Sequence, residues 1–288
     1  MLHQITPVIL TYNEEANIGR TLEKLTWARD IVVVDSKSTD RTAEIVASIP
    51  QARLFERVFD RHADQWNFAV CQTGIKSKWV LALDADYVVT DSLIEELQTL
   101  EPPSDFVGYS VTFTYCVYGK PLRGTLYPPV VALFRPSRAS YVQDGHTQRL
   151  VPHGPIGTLK AKMLHDDRKH LSRWLASQDR YMRLEAEHIV DKPWPELAIA
   201  DRVRRFPLIA PFAVFAKCYV LKGGFLDGTA GLHYALQRML AETLLGIRIL
   251  ENRVTETSIE RDRTLVPGGS YGGNKQESSL RSANRRRH

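Results

Sequence analysis

Hydrophobic and polar positions alternate in blocks along the first hundred residues. Short apolar runs at residues 6–11, 31–34 and 54–58 read as strands, and Asp35 closes the second. Between them, Ile18, Leu22 and Leu25 recur at helical spacing, with Asn13 as a candidate cap. Ser38-Thr39-Asp40 opens a second helix with Ile45, Val46 and Ile49 on one side, and Pro50 closes it. A third begins near Asp64, carries Trp66, Val70 and Thr73, and stops at Gly74. Trp79-Val80-Leu81-Ala82-Leu83 is a near-continuous apolar run, as a central parallel strand covered on both faces requires. After it, Ser92 and Glu95 have capping-box spacing ahead of Leu93, Leu97 and Leu100, and Pro102-Pro103 ends that helix. Repeated βα units of this length predict a doubly wound, Rossmann-like α/β sheet with helices on both faces.

From Phe106 the period changes to two. Val107, Tyr109, Val111, Phe113, Tyr115 and Val117 alternate with polar residues, so the sheet is expected to be mixed, parallel first and antiparallel later. Residues 130–134 add a strand. Residues 146–151 and 156–164, joined by Pro152-His153-Gly154-Pro155, predict a hairpin. Residues 172–190 read as a helix capped by Ser172. Residues 206–221 are apolar apart from Lys217, Gly223-Gly224 breaks the run, and a long helical pattern follows over 229–253. Sixteen residues with a lysine inside fall short of a spanning helix, so an interfacial helix or a short re-entrant pair is expected, with ordinary core helices as the alternative. This gives a catalytic domain over 1–190, an apolar helical membrane-associating region over 191–260 and a basic, disordered tail over 261–288.

Charge changes the picture only at the end of the chain. Residues 261–288 carry seven Lys/Arg against two acidic residues, a surplus equal to the net +5 of all 288 residues. A basic tail on a neutral body suggests an electrostatic tether to a membrane surface or a solvated end, and it lacks the aromatic face that nucleic-acid binding would need. Cys71, Cys116 and Cys218 are scattered in no metal or redox spacing, which points to a reducing compartment. The start, Met1-Leu2-His3-Gln4-Ile5-Thr6-Pro7, lacks a signal-peptide pattern, so the expected location is the cytoplasmic face of a membrane.

The candidate chemistry gathers at strand ends. Asp84 and Asp86 follow the central strand, and alternation aims both to one side at the edge where open α/β sheets bind ligands. Such a pair suits a hard divalent cation carrying a phosphate ligand. Thr11-Tyr12-Asn13-Glu14 and the run from Asp35 to Asp40 are polar loops ahead of helix N-termini, where backbone N–H groups attract phosphate. Neither loop has dinucleotide or P-loop glycine spacing, so a mononucleotide diphosphate held through a metal fits best.

These residues resemble a known family. Thr11-Tyr12-Asn13-Glu14, then Val33-Val34-Asp35 with Ser38-Thr39-Asp40 and Thr42, then Leu83-Asp84-Ala85-Asp86, are similar to the family 2 inverting glycosyltransferases with the GT-A fold, over about residues 5–165. Gln65 and Asn67, Leu164-His165, and Leu221-Lys222-Gly223-Gly224-Phe225-Leu226-Asp227-Gly228 resemble the bacterial subgroup that builds lipopolysaccharide core and related envelope glycans. The resemblance implies that Thr11, Tyr12, Asn13, Glu14, Asp35, Asp40, Gln65 and Asn67 serve the nucleotide-sugar donor. It also implies that Asp84 reaches the ribose and that Asp86, with His165, holds Mg²⁺ or Mn²⁺. A UDP-sugar donor and a glycan or lipid-linked acceptor are the implied partners. Tyr87 departs from the relatives, many of which have Glu there.

Inverting transfer needs a base to take the acceptor proton. Asp144, then His146, are the candidates, and Arg149 is placed to steady the diphosphate or an acidic acceptor. A nucleotidyltransferase is the alternative enzyme, but its glycine- and basic-rich first loop is replaced by the acidic stretch from Thr11 to Gly19. A non-catalytic glycan- or nucleotide-binding module of the same fold is the alternative from another class.

Overall fold

The computed structural model describes residues 1–144 and 147–265, with the backbone alone at Asp144, Thr147 and 256–265. The expectations for His146, for the Asp144 side chain and for the tail from Pro267 lie outside the described residues. Residues 1–249 form one compact unit, and residues from Leu250 onward a second.

Strands β1 (Ile5–Thr11), β2 (Ile31–Asp35), β3 (Ala52–Glu56) and β4 (Trp79–Asp84) are parallel, in the spatial order β3-β2-β1-β4. In β1, β2 and β4 the run of Val, Ile and Leu is buried on both faces, with alternate residues meeting different helices. Ile9, Val33, Leu81 and Leu83 meet α1 (Ile18–Glu23), α2 (Thr42–Ala47) and α4 (Asp91–Thr99) through Ile18, Leu22, Val46, Leu93 and Leu97. Val8, Val32, Val34, Val80 and Ala82 meet Trp66, Ala69 and Val70 of α3 (His62–Cys71). Neither set of side chains can turn to solvent without stripping the other layer.

The sheet then becomes mixed, as the change of period predicts. β8 (Val130–Phe134) joins antiparallel to both β4 and β6 (Gly108–Val117), and β6 runs parallel to β11 (Ile156–His165). The short β5 (Tyr87–Val88) closes the far edge against β11 in the register His165 opposite Tyr87, and β7 (Lys120–Pro121) pairs with β6. The expected pairing of 146–151 with 156–164 does not form. Instead β10 (Thr147–Pro152) folds back on β9 (Ala139–Asp144), while β11 takes β6 as its partner. The reason is burial. Beside β6, β11 buries Leu159 and Met163, and Tyr141 of the β9–β10 hairpin stacks on Trp66 at 5.2 Å. Asn67 clips that hairpin to α3, donating to the Tyr141 carbonyl at 2.9 Å and accepting from its N–H at 3.0 Å.

Three caps differ from expectation. Asn13 is no cap: it sits at φ 55°, and α1 begins five residues later. Thr90, rather than Ser92, caps α4 by accepting from Leu93 N–H at 3.2 Å. α5 (Leu171–Asp191) follows His170 with no side-chain cap, so Ser172 lies inside the helix. α2 also starts at Thr42, after Asp40, whose carboxylate accepts from the Thr42 N–H at 3.0 Å.

The C-terminal part is helical: α5, α6 (Ile199–Arg204), α7 (Ala210–Ala216) and α8 (Thr229–Leu265). α5 and α8 pack through Ala186, Ile189, Leu245 and Ile249. Arg204 bonds Glu242 at 3.0 Å, Glu185 at 3.1 Å and Asp201 at 3.1 Å, a charge cluster that satisfies the half-buried guanidinium. Among the described residues no helix is long and apolar enough to cross a membrane. Cys71, Cys116 and Cys218 are free thiols.

Two glycines on helices give opposite predictions. A Cβ at Gly231 of α8 would meet the Gly224 carbonyl oxygen at 1.9 Å, whereas one at Gly19 of α1 meets only Ile45 at 3.9 Å. Gly231→Ala is expected to destabilise by about 2 kcal/mol through forced backbone movement. Gly19→Ala should be neutral or stabilise by about 0.5 kcal/mol by restricting the unfolded chain. Urea denaturation of both variants measures the difference.

Candidate active site

β4 ends at Asp84, and residues 85–86 form a turn before β5. The two carboxylates therefore meet by a turn and not by the strand alternation expected for them. Ala85 anchors the turn in the core, and Thr21 of α1 donates to its carbonyl at 2.7 Å. The β5–β11 register then carries His165 across to Asp86, with His165 Nε2 3.3 Å from Asp86 Oδ2. Asp166 N–H donates to the Asp86 carbonyl at 3.0 Å and extends the ladder by one bond.

Around His165 lies a wall of rings: Tyr127 at 4.6 Å, Tyr115 at 4.8 Å, Tyr87 at 5.2 Å and Phe113 at 6.3 Å. Tyr87 and Tyr127 share a hydroxyl–hydroxyl hydrogen bond. Burial pushes all three tyrosines upward, so they stay neutral phenols. Tyr87 thus sets a neutral group beside Asp84.

The charges divide sharply. Burial, and then repulsion from Asp86, raises Asp84 to about 6. Burial would raise Asp86 too, but the charge and hydrogen bond of His165, with Lys169, outweigh it and hold Asp86 below the usual carboxylate range. His165 is raised in turn: burial opposes its charge, and Asp86 overcomes that. Two atoms of this pair, Asp86 Oδ1 and His165 Nδ1, are buried without a hydrogen-bond partner. Native proteins rarely leave such atoms unsatisfied.

A second layer comes from the residues after His165. Lys169 Nζ pairs with Glu14 at 2.7 Å and lies 3.8 Å from Asp167. Asn17 donates to both Glu14 and Asp167 at 2.9 Å, and its carbonyl oxygen accepts from Arg168 N–H at 3.0 Å. Burial lifts Glu14 to about 7, despite Lys169. Buried Asp166 binds Arg20, Arg168 and the Gly119 N–H. None of Asn17, Asp166, Asp167 and Lys169 was expected from the sequence. The signal for the last three was the charged run Asp166-Asp167-Arg168-Lys169 directly after His165, and Asn17 had none.

The two polar loops lock onto each other. Ser38 Oγ accepts from Asn13 N–H at 2.6 Å, Thr42 Oγ1 from Glu14 N–H at 2.7 Å, and Asp40 from Glu15 N–H at 3.3 Å. In return, Asn13 Oδ1 accepts from Thr39 N–H at 2.6 Å. The backbone N–H groups expected to cradle phosphate are therefore already occupied by side chains. Asp35 is buried and accepts from Thr11 Oγ1 at 2.8 Å and Ser38 N–H at 2.6 Å. Gln65 joins the frame by donating to Ser36 Oγ at 3.1 Å. Tyr12 stands out from it, half exposed, with the Arg173 guanidinium 5.9 Å from its ring. Asn67 holds the β9–β10 hairpin, and Arg149 is exposed on β10. That hairpin is tied to the start of α3, where Gln143 accepts from Ala63 N–H at 3.3 Å.

The profile described as Glycosyl transferase family 2 matches residues 6–159, more than half of the chain. The chain belongs to glycosyltransferase family 2. Its mixed sheet, with helices on both faces and the acidic turn at the carboxyl end of the central strand, is the GT-A architecture. The enzyme is 28% identical over 249 residues to the lipopolysaccharide core biosynthesis glycosyltransferase LpsC of Rhizobium meliloti (strain 1021), a match covering 80% of this chain and 88% of that protein. It is 33% identical over 96 residues to an uncharacterized glycosyltransferase of Rickettsia bellii (strain RML369-C), covering 33% of this chain and 32% of that one. Among solved structures, S. aureus TarS 1–349 in complex with UDP-GlcNAc aligns with a TM-score of 0.44 at 15% identity, covering 88% of this chain and 92% of that chain. Glucosyl-3-phosphoglycerate synthase from Mycobacterium tuberculosis, with Mn²⁺, UDP and glucosyl-3-phosphoglycerate, aligns with a TM-score of 0.31 at 20% identity, covering 40% and 44%.

The site chemistry fits a divalent cation shared with a phosphate ligand. Asp86 Oδ1 is an open donor atom, His165 faces Asp86 through Nε2 and would have to release its proton to ligate a metal, and among the described residues no cluster of three or more His, Cys, Asp or Glu offers a complete protein cage. Mg²⁺ sites commonly take only one or two protein carboxylates and leave the other positions to phosphate and water.

A pH prediction follows from Asp84. Its folded pKa of about 6 lies above its ordinary value of 3.8, so the folded state binds that proton more tightly than the unfolded state. Its contribution to metal-free stability is thus greatest at low pH and is lost as pH rises to about 6. Asp84→Asn removes this dependence. Relative to wild type, the variant should gain up to about 3 kcal/mol between pH 4 and pH 7, read from denaturant midpoints of metal-free protein.

Proposed function

We propose that this enzyme is a metal-dependent, inverting hexosyltransferase. It moves a sugar from a nucleotide-sugar donor, a UDP-sugar, to a lipopolysaccharide-core, lipid-linked or other envelope-glycan acceptor. The observation that carries the reading is the buried, unpartnered carboxylate oxygen Asp86 Oδ1, with the His165 imidazole 3.3 Å from the other oxygen, at the carboxyl edge of the sheet. The likeness to LpsC over most of both chains supports the acceptor class.

In this reading Asp86, with His165, would hold Mg²⁺ or Mn²⁺. The bound ion supplies charge neutralisation for the departing nucleoside diphosphate. The chain's own residues do the rest. The interlocked loops hold Thr11, Asn13 and Glu14 rigid, so donor binding costs little further ordering. Tyr12 offers an exposed ring beside the base, Asp35 and Asp40 set the shape of the nucleotide pocket, and Asp84 reaches the ribose. Gln65 and Asn67 brace the second loop and the hairpin. The acceptor hydroxyl attacks the anomeric carbon from the face opposite the leaving group, and Asp144 takes its proton, with His146 as the second candidate. Arg149 on the same hairpin steadies the diphosphate or an acidic acceptor. The aromatic wall around His165 excludes water, which strengthens every charge interaction inside and protects the donor from hydrolysis. The expected location is the cytoplasmic face of the bacterial inner membrane, where a lipid-linked acceptor is presented.

A panel of nucleotide sugars with Mn²⁺ or Mg²⁺, scored by nucleoside diphosphate release, tests this. Asp86→Ala should lower turnover by at least about 100-fold, as loss of a main electrostatic group does. Asp144→Asn should abolish transfer while leaving donor binding intact, and NMR of the product should show an inverted anomeric centre. Full activity of Asp86→Ala would remove the metal role. Turnover of a sugar 1-phosphate with a nucleoside triphosphate, and of no nucleotide sugar, would make the enzyme a nucleotidyltransferase.

A further inference from the structure

Burial is inverted in the turn that leads into α8. Leu221, Val220, Leu226 and Phe225 are 80%, 58%, 57% and 51% exposed, while Asp227 between them and the helix is 6% exposed. Upstream, Leu208 and Phe212 are 84% and 64% exposed. This arrangement is locked in place. Asp227 Oδ2 accepts from Arg123 N–H at 2.9 Å, and its carbonyl accepts from Lys120 Nζ at 2.8 Å. Gly223 and Gly228 take positive φ, 73° and 62°, where a side chain would be strained. Gly224 packs so closely on Gly231 and on the Cys218 carbonyl that neither glycine has room for a Cβ. A turn held this firmly presents its apolar side chains outward by construction, and exposed apolar patches of this size mark interaction sites.

The charge pattern selects the partner. From Phe206 to Leu226 the chain contains no Asp or Glu, and its two charged residues, Lys217 and Lys222, are both exposed. Large apolar and aromatic side chains interspersed with lysines fit an anionic lipid interface, where the apolar groups enter the headgroup–acyl boundary and the ammonium groups stay at the phosphates. The patch also adjoins the catalytic edge. Asp166 N–H bonds the Asp86 carbonyl, the Asp166 carboxylate accepts from Gly119 N–H at 2.8 Å, and the next residue, Lys120, bonds Asp227.

We propose that the segment over 206–226 docks the enzyme on an anionic bilayer surface. Leu208, Phe212, Leu221, Phe225 and Leu226 form the inserting face, and Lys217 and Lys222 contact the lipid phosphates. The proposal deepens, and for its purpose rests on, the reading that the acceptor is lipid-linked: docking here sets the Asp86 edge beside the surface that carries it.

Flotation of the full-length protein with vesicles of phosphatidylcholine, alone or mixed with phosphatidylglycerol, tests the proposal at low and high salt. Wild type should float with the mixed vesicles and keep part of its binding at high salt, because insertion is apolar. The triple variant Leu221→Gln, Phe225→Gln, Leu226→Gln should lose roughly tenfold of that binding. Lys217→Gln with Lys222→Gln should lose the low-salt component. Donor turnover in solution should be unchanged in both, because none of these residues lies in the catalytic machinery, and unchanged thermal unfolding confirms that they fold. The proposal is overturned if wild type fails to float, or if binding is abolished by salt and untouched by the triple variant, which would assign it to the basic residues of 261–288. It is equally overturned if light scattering shows a dimer that the triple variant dissociates, since a second copy then covers the face. Donor turnover without flotation rejects the docking surface alone, whereas flotation without any donor turnover rejects the transferase reading alone.

Discussion

The contact between His165 and Asp86 is the constraint on which the rest of the site depends. Two ionisable groups are buried together at 3.3 Å, and each offsets part of the desolvation cost of the other. The pairing exists because β5, only two residues long, binds the end of β11 in one register, and a slip of one residue would turn His165 to the opposite face. Asp166 holds that register by continuing the ladder and by anchoring Arg20, Arg168 and the Gly119 turn. The aromatic wall fixes the imidazole, and Lys169 and Glu14 extend the charge network to the loop after β1.

Stability is given up at this point. Asp84 carries a charge that burial and Asp86 both oppose, and two polar atoms are left without partners. A fold selected for stability alone would place apolar or paired groups there. The cost is borne by the β1–β4 core, which is closed on both faces, and by the two loops, whose side chains satisfy one another's backbone. Those loops are thus a rigid frame whose N–H groups are spoken for.

The C-terminal helices show the same economy in a different form. Charges are drawn inward and satisfied, as with Arg204 among Glu185, Asp201 and Glu242, while apolar residues of the glycine-locked turn are turned outward. The Leu221-Lys222-Gly223-Gly224-Phe225-Leu226-Asp227-Gly228 stretch acquires a physical meaning from this. Its glycines allow a close backbone approach, its aspartate anchors the turn to residues 120–123, and its apolar side chains are left facing solvent.

Local pattern determined the order of βα units, the buried central strand, the mixed character of the sheet and the family, because periodicity and loop composition act over a few residues. It also brought Asp84, Asp86 and His165 forward as candidates. Long-range pairing decided the rest. The partner of β11 depended on which strand buried Leu159 and Met163 better, and no local spacing encodes that comparison. The caps at Asn13 and Ser92 failed for a related reason: the neighbouring loop and Thr90 competed for the same groups, while Ser172 simply falls inside α5. Asp86 reaches its partner through a turn and a two-residue strand, and Lys169, Asp167 and Asn17 join the site only once β11 lies beside β5. The acidic turn was legible in the sequence; what it is buttoned to was settled by tertiary structure, because a register between distant strands is chosen by the total burial of the sheet.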